Sequence, residues 1–329
     1  AAMMPPAPPS ISRRIWMPDV VLPGVSRGLR LSYAPPRDVR PGLLDLPLAL
    51  WTGPGFPSGV PVGLTNGISW GVYDHDGWID MFAAQSCNLW RNVNGTNWAL
   101  TTIPGIPIGP IRYGSSFGDY NHNGLNDIGT EPRSGADPCM HLLKNNGGLS
   151  FTDVSGNPAI LDVNACSVAS ETICWGDVNG DTFMDLFLPC YPPQGNFFWR
   201  NLGPTGPGGE YRFHEESAAA GLDNPPGAAR PERAQLCGVD FDGESDLYSN
   251  GTLYQNKSRT SLIDFDAMTE TASGIGLSNQ LDEGAMSPDY DLDGDFDLLI
   301  VYTSPGVKIW ESRGDGTFFQ AEASIIDSP

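Results

Sequence analysis

Five times along its 329 residues the chain repeats one short acidic pattern, and this repetition limits the fold more than any other feature. The segments are WGVYDHDGWIDMF (70–82), FGDYNHNGLNDIG (117–129), WGDVNGDTFMDLF (175–187), CGVDFDGESDLY (237–248) and PDYDLDGDFDLL (288–299). Their last aspartates are Asp80, Asp127, Asp185, Asp246 and Asp297, at intervals of 47, 58, 61 and 51 residues. A second element follows each loop: NLWRN (88–92), HLLKN (141–145), FFWRN (197–201), TLYQN (252–256) and KIWES (308–312). A turn and an aromatic strand come next, as in NGGLSFTDVS (146–155) and RGDGTFFQ (313–320). Each repeat therefore predicts four antiparallel strands. One such sheet cannot bury both of its faces, whereas repeats packed radially hide them between neighbours. The expected fold is an all-β β-propeller of four-stranded blades.

The five clear repeats span residues 65–329, and six blades are favoured, with seven as the alternative. Residues 15–64 read as a degenerate blade or an irregular segment. Within them, residues 42–48 resemble a loop end and its strand, but the liganding positions hold Arg37, Val39 and Pro41. Residues 1–14, with prolines at 5, 6, 8 and 9, predict an extended polyproline arm, either disordered in an isolated subunit or ordered against another chain. The 40 glycines and 30 prolines suit many short strands joined by turns.

The third loop carries the chemistry most openly. Asp177, Asn179, Asp181 and Asp185 offer side-chain oxygens at loop positions 1, 3, 5 and 9, and Phe183 a backbone carbonyl at 7. Hard oxygen ligands in this number and charge suit calcium, which accepts six to eight of them in tolerant geometry. The fifth loop is complete, with Asp289, Asp291, Asp293, Asp297 and the carbonyl of Asp295. The second has Asp119, Asn121, Asn123, Asp127 and the carbonyl of Leu125. The first opens on Val72 and keeps Asp74, Asp76, Asp80 and the carbonyl of Trp78. The fourth reads one residue short and offers Asp240, Asp242 and Asp246. Expected affinity falls from the fifth to the third to the second, with the first and fourth weakest, for three to five ions in all. Polar turns closed by Asx hydrogen bonds are the plain alternative.

The D-x-[DN]-x-[DN]-G-x-x-D loop, followed by L-[WY]-[RK]-N and G-D-G-T-F, resembles the FG-GAP and VCBS-like repeats. Such repeats build the propeller heads of integrin α subunits and certain fungal lectins. The resemblance implies structural calcium at the loops and ligand recognition elsewhere on the propeller.

A formal charge of −21 argues against nucleic acid, since little here could displace counterions from phosphates. No apolar run reaches the length of a membrane span. Six cysteines, Cys87, Cys139, Cys166, Cys174, Cys190 and Cys237, lack the close pairs of a zinc site. They predict two or three disulfides of unspecified pairing. With the glycosylation sequons at Asn94, Asn250 and Asn256 they favour a secreted, extracellular protein.

Expected partners are a carbohydrate or an extracellular protein, including copies of the same chain. The leading expectation is a recognition, adhesion or assembly module rather than an enzyme; a filament subunit is the alternative. A propeller lyase or hydrolase for acidic sugars would need a basic groove, and only 18 Lys and Arg are present. The serine of the G-x-S-x-G match at 114–118, Ser116, precedes an acidic loop instead of the helix a nucleophile elbow requires. Arg313-Gly314-Asp315 falls where every repeat places a tight turn.

Overall fold

The computed structural model describes residues 67–95, 97–101, 104–105, 114–132, 139–148, 150–191, 194–223, 234–240, 242–249, 251–276, 282–302 and 306–321. The polyproline arm, the segment at 42–48 and Asn250 lie outside them. The described residues belong to one unit, Gly53–Pro329.

They form five four-stranded antiparallel sheets, each a simple meander. Blade 1 holds β1 (Ile68–Gly71), β2 (Asp80–Ala83), β3 (Asn88–Val93) and β4 (Asn97–Thr101). Blade 2 holds β5 (Ser115–Gly118), β6 (Asp127–Thr130), β7 (His141–Asn145) and β8 (Phe151–Asp153). Blade 3 holds β9 (Cys174–Gly176), β10 (Asp185–Leu188), β11 (Phe197–Asn201) and β12 (Phe213–Glu215). Blade 4 holds β13 (Ala234–Cys237), β14 (Asp246–Ser249), β15 (Thr252–Asn256) and β16 (Phe265–Ala267). Blade 5 holds β17 (Asp282–Met286), β18 (Leu298–Tyr302), β19 (Val307–Ser312) and β20 (Phe318–Gln320). First strands of successive sheets run side by side, β1 by β5, β5 by β9, β9 by β13 and β13 by β17. This is a propeller arrangement.

The expectation of six or seven blades is corrected to five among the described residues. A sixth blade would have to come from residues 15–64, which lie outside the described residues.

The core lies between blades, as two-faced sheets demand. Tyr73, Phe82 and Leu89 of blade 1 meet Ile128, Leu143 and Phe151 of blade 2. Similar layers join blades 2 and 3 around Trp175 and Phe213, 3 and 4 around Phe198 and Phe265, and 4 and 5 around Tyr248 and Trp310. The recurrent third-strand residues Trp90, Leu143, Trp199, Tyr254 and Trp310 are all buried, so the aromatic series is core. First strands approach closely at glycine: a Cβ on Gly118 would lie 2.7 Å from the Trp175 ring.

Cys139 and Cys166 form a disulfide. Cys190 and Cys237 are buried thiols, pushed up to about 12 by burial, and Cys174 is a half-buried thiol. The Cys87 thiol donates to the Ala84 carbonyl at 3.5 Å. The described residues thus hold one disulfide rather than two or three, the other four cysteines packing as thiols, small apolar groups of the blades. No helix among the described residues is long and apolar enough to cross a membrane.

Candidate metal centres

All five loops fold on one backbone plan. Counting positions 1–9 back from the last aspartate, the N–H of position 5 donates to the position 3 side chain at 3.2 Å in every loop. The N–H of position 7 (Trp78, Leu125, Phe183, Glu244 or Asp295) donates to the position 5 side chain at 2.8–3.1 Å. This register corrects the fourth loop, which is not one residue short. Val239 occupies position 2, as its N–H donates to Asp246 at 2.9 Å, so Gly238 stands at position 1. Loops 1 and 4 are therefore alike in lacking an oxygen side chain at the opening position.

Position 6 has positive φ in each loop: Gly77 83°, Gly124 83°, Thr182 76°, Gly243 98° and Gly294 104°. Glycine adopts this conformation freely, whereas a β-branched residue there is strained. We expect Thr182→Gly to stabilise the protein by about 0.5–1 kcal/mol, the relief of left-handed strain exceeding glycine's entropy cost. Urea unfolding at fixed calcium measures it; a destabilised variant would contradict it. Backbone hydrogen bonding of Thr182 survives the change, because it is the Thr182 carbonyl that lies 2.6 Å from Nε2 of His122 in the neighbouring loop.

The last aspartate is a clasp. Asp80, Asp127, Asp185, Asp246 and Asp297 are fully buried. One oxygen of each accepts from the N–H of the last or next-to-last residue of the third strand (Asn92, Asn145, Asn201, Asn256 or Ser312) at 2.7–2.9 Å. The other accepts from the position 2 N–H at 2.9–3.3 Å. A carboxylate oxygen has a second lone pair, so clasping leaves room for coordination. Burial pushes Asp127 and Asp185 up to about 8, and Asp80, Asp246 and Asp297 up to about 6, against the lowering effect of these N–H donors.

These shifts fix the sign of a pH effect. With folded values above the unfolded value of about 4, the metal-free folded state binds more protons than the unfolded chain. The stability these five carboxyls contribute is therefore fully present below about pH 4 and is lost as pH rises through about 6 to 8. We expect the chelated protein to melt several degrees lower at pH 8 than at pH 5, and calcium to flatten that slope. A chelated melting point that rose over this interval would contradict the assignment.

The third-strand asparagine ties blades together. Nδ2 of Asn145 donates to the Tyr73 carbonyl in the loop of blade 1 at 2.8 Å. Asn201 donates to Tyr120 at 2.9 Å and Asn256 to Val178 at 2.7 Å, each reaching back one blade. Sequence reasoning missed this role; the signal was an asparagine closing four of the five third-strand segments. It also corrects the sequon at Asn256, whose amide is buried and donates to Val178 and Ser245 while its oxygen accepts from Ser258. A glycan cannot be attached to a nitrogen so enclosed. Asn94 is exposed, in a turn at φ 57°.

The carboxylates converge to different degrees. Among the described residues, Asp74, Asp76 and Asp80 form one set with oxygens within 4.8 Å of one another, and Asp289, Asp291 and Asp297 another. In loop 5, Oδ1 of Asp289 is buried without a hydrogen-bond donor among the described residues, and burial pushes the nearby Asp295 carboxyl up to about 6. A buried carboxylate oxygen with no donor is costly unless a cation neutralises it. The loop 5 donor set thus fits a hard divalent ion, with Asp293 alongside. In loops 2 and 3 the opening aspartates instead accept backbone donors: Asp119 from Asn123 and Gly124, and Asp177 from Asp181 and Thr182, at 3.1 and 2.8 Å in each case. Asn121 and Asn179 lie beside them, both donating within their own loops. Asp240, Asp242 and Asp246 do not gather into a set of three.

The other signals take plain places. Ser116 lies inside β5. Gly314 turns at φ 70° between β19 and β20, and Asp315 accepts from Thr317 N–H at 3.0 Å. Trp78 is 42% exposed beside its loop.

No family model and no curated protein matches the chain. The FG-GAP and VCBS-like resemblance therefore rests on the repeat motifs of the sequence alone. Similar solved structures include a lectin from Agrocybe aegerita that specifically recognises non-reducing terminal N-acetylglucosamine, at a TM-score of 0.45 and 16% identity, covering 73% of this chain and 61% of that one. Another is the V. cholerae biofilm matrix protein Bap1, at a TM-score of 0.41 and 15% identity, covering 76% of this chain and 38% of that one. This chain spans less than two thirds of the length of either.

Proposed function

We propose that the chain is an extracellular, calcium-stabilised propeller whose work is recognition or assembly rather than catalysis. The observation that carries the calcium part is loop 5, where Asp289, Asp291 and Asp297 converge and Oδ1 of Asp289 is buried without a donor among the described residues. When bound, calcium would supply neutralisation and rigidity there. The aspartates hold it, while their backbone bonds keep the loop in shape. The Cys139–Cys166 disulfide supports an oxidising compartment, where calcium is also abundant.

A groove of about 410 Å³ beside β11 and β12 supports recognition. Arg200, Glu216, Ser261 and Leu262 line it, and Leu262 is 53% exposed. The Arg200 guanidinium donates from Nη1 to the Ser261 carbonyl at 3.5 Å, while its buried Nε has no hydrogen-bond partner among the described residues. Donor, acceptor, hydroxyl and apolar surface side by side suit a polyhydroxylated ligand such as a saccharide. A glycan array run in calcium and in chelator tests this, with Arg200→Ala as the groove variant. We expect glycan binding that is lost in chelator and weakened by the variant. Absence of glycan binding with calcium-dependent self-association would replace carbohydrate by a second copy of the chain, and absence of both would overturn the proposal.

A further inference from the structure

We propose that the loop of blade 1 carries its own cation, Arg91, and takes no calcium, with Gln255 filling the same place in blade 4. The inference rests on the calcium assignment only for the contrast with the other loops.

Arg91, Lys144, Arg200, Gln255 and Glu311 occupy one position in five third strands, each next to the residue whose N–H meets the clasping aspartate. What this side chain does follows the opening position of its loop. Loop 1 opens on Val72, and there Nε of Arg91 lies 2.6 Å from Oδ2 of Asp74 while Nη2 donates to Oδ2 of Asp76 at 2.9 Å. Loop 4 opens on Gly238, and Nε2 of Gln255 donates to Oδ2 of Asp240 at 3.1 Å. The three loops that open on aspartate are treated otherwise. Arg200 turns away, its Nη1 3.7 Å from Oε1 of Glu216. Lys144 makes no ion pair with its loop among the described residues. Glu311 has the opposite charge and accepts from the Tyr290 hydroxyl at 2.7 Å.

The physical logic is competition for the same oxygens. Calcium would need the position 3 and 5 carboxylates at about 2.3–2.6 Å, where the guanidinium already sits. Two cations cannot share those lone pairs, and a loop missing its first carboxylate binds an ion too weakly to displace a tethered one. A guanidinium also matches paired carboxylates in shape better than a point charge does. Convergence of three carboxylates, which marks a metal site in loop 5, marks an arginine site in loop 1.

A double-mutant cycle of Arg91→Gln and Asp74→Asn in excess chelator tests the pair with no metal present. We expect each single change to lower the melting temperature by roughly 2–4 °C and the double change to cost clearly less than their sum. Calcium titration of Asp74→Asn should return the same number of bound ions as the parent chain. Additive single effects, or a calcium ion lost from Asp74→Asn, would overturn the inference. A parent chain that bound no calcium would defeat the calcium assignment instead, while coupling in chelator would still establish the arginine.

Discussion

Asp185→Ala is expected to cost about 3–5 kcal/mol in chelator, and more in calcium because loop 3 loses a ligand as well. The substitution strands two buried backbone donors, the N–H groups of Val178 and Asn201, which now lie 3.1 and 2.8 Å from the carboxylate. Each orphaned donor costs about 1–3 kcal/mol, and a small cavity adds to that. Against a total stability of about 5–15 kcal/mol, the variant sits near the edge of folding. Asp185→Asn keeps one acceptor but turns an amide towards an N–H, so an intermediate loss is expected. Asp181→Ala is the control, since Asp181 lies in the half-exposed part of the same loop and should matter mainly when calcium is present. Urea unfolding of the three variants separates a clasp from a ligand. Equal losses for Asp181→Ala and Asp185→Ala, both vanishing in chelator, would mean that position 9 acts only through the metal.

Chelation is expected to lower the melting temperature of the parent chain by about 5–10 °C. One extracellular-type site at millimolar calcium contributes about 0.5–1.5 kcal/mol by mass action, and loops 2, 3 and 5 act together. In a propeller each loop also touches the next, as the His122 contact with the Thr182 carbonyl illustrates. Loosening one loop therefore reaches its neighbour's blade. The shift should be reversed by calcium and, because calcium accepts irregular oxygen sets, only poorly by magnesium.

The blades and the acidic loops could be read from the chain because both repeat at fixed local spacing. An aspartate at position 9 and an aromatic in the third strand are visible without knowing how blades pack. Position 9 nonetheless misled in part, since a carboxylate placed to ligate and one placed to accept two N–H groups look identical in sequence. The Asn145, Asn201 and Asn256 bonds span 72 to 81 residues and exist only once neighbouring blades are docked. The same docking buried Asn256, which no sequon pattern could indicate. Arg91 lies 15 residues beyond Asp76, yet the missing carboxylate at Val72 was a visible hint that something else balances the loop. The fourth loop appeared short because Gly238 carries no oxygen, not because a residue is absent.

Calcium bound per chain, counted by titration calorimetry and elemental analysis on the parent protein and on Asp291→Ala, decides whether the loops are metal sites. About three ions are expected on the parent chain, in loops 2, 3 and 5, with the tightest of them lost in the variant. No bound calcium on the parent chain, together with a melting curve unchanged by chelator, would contradict the calcium assignment.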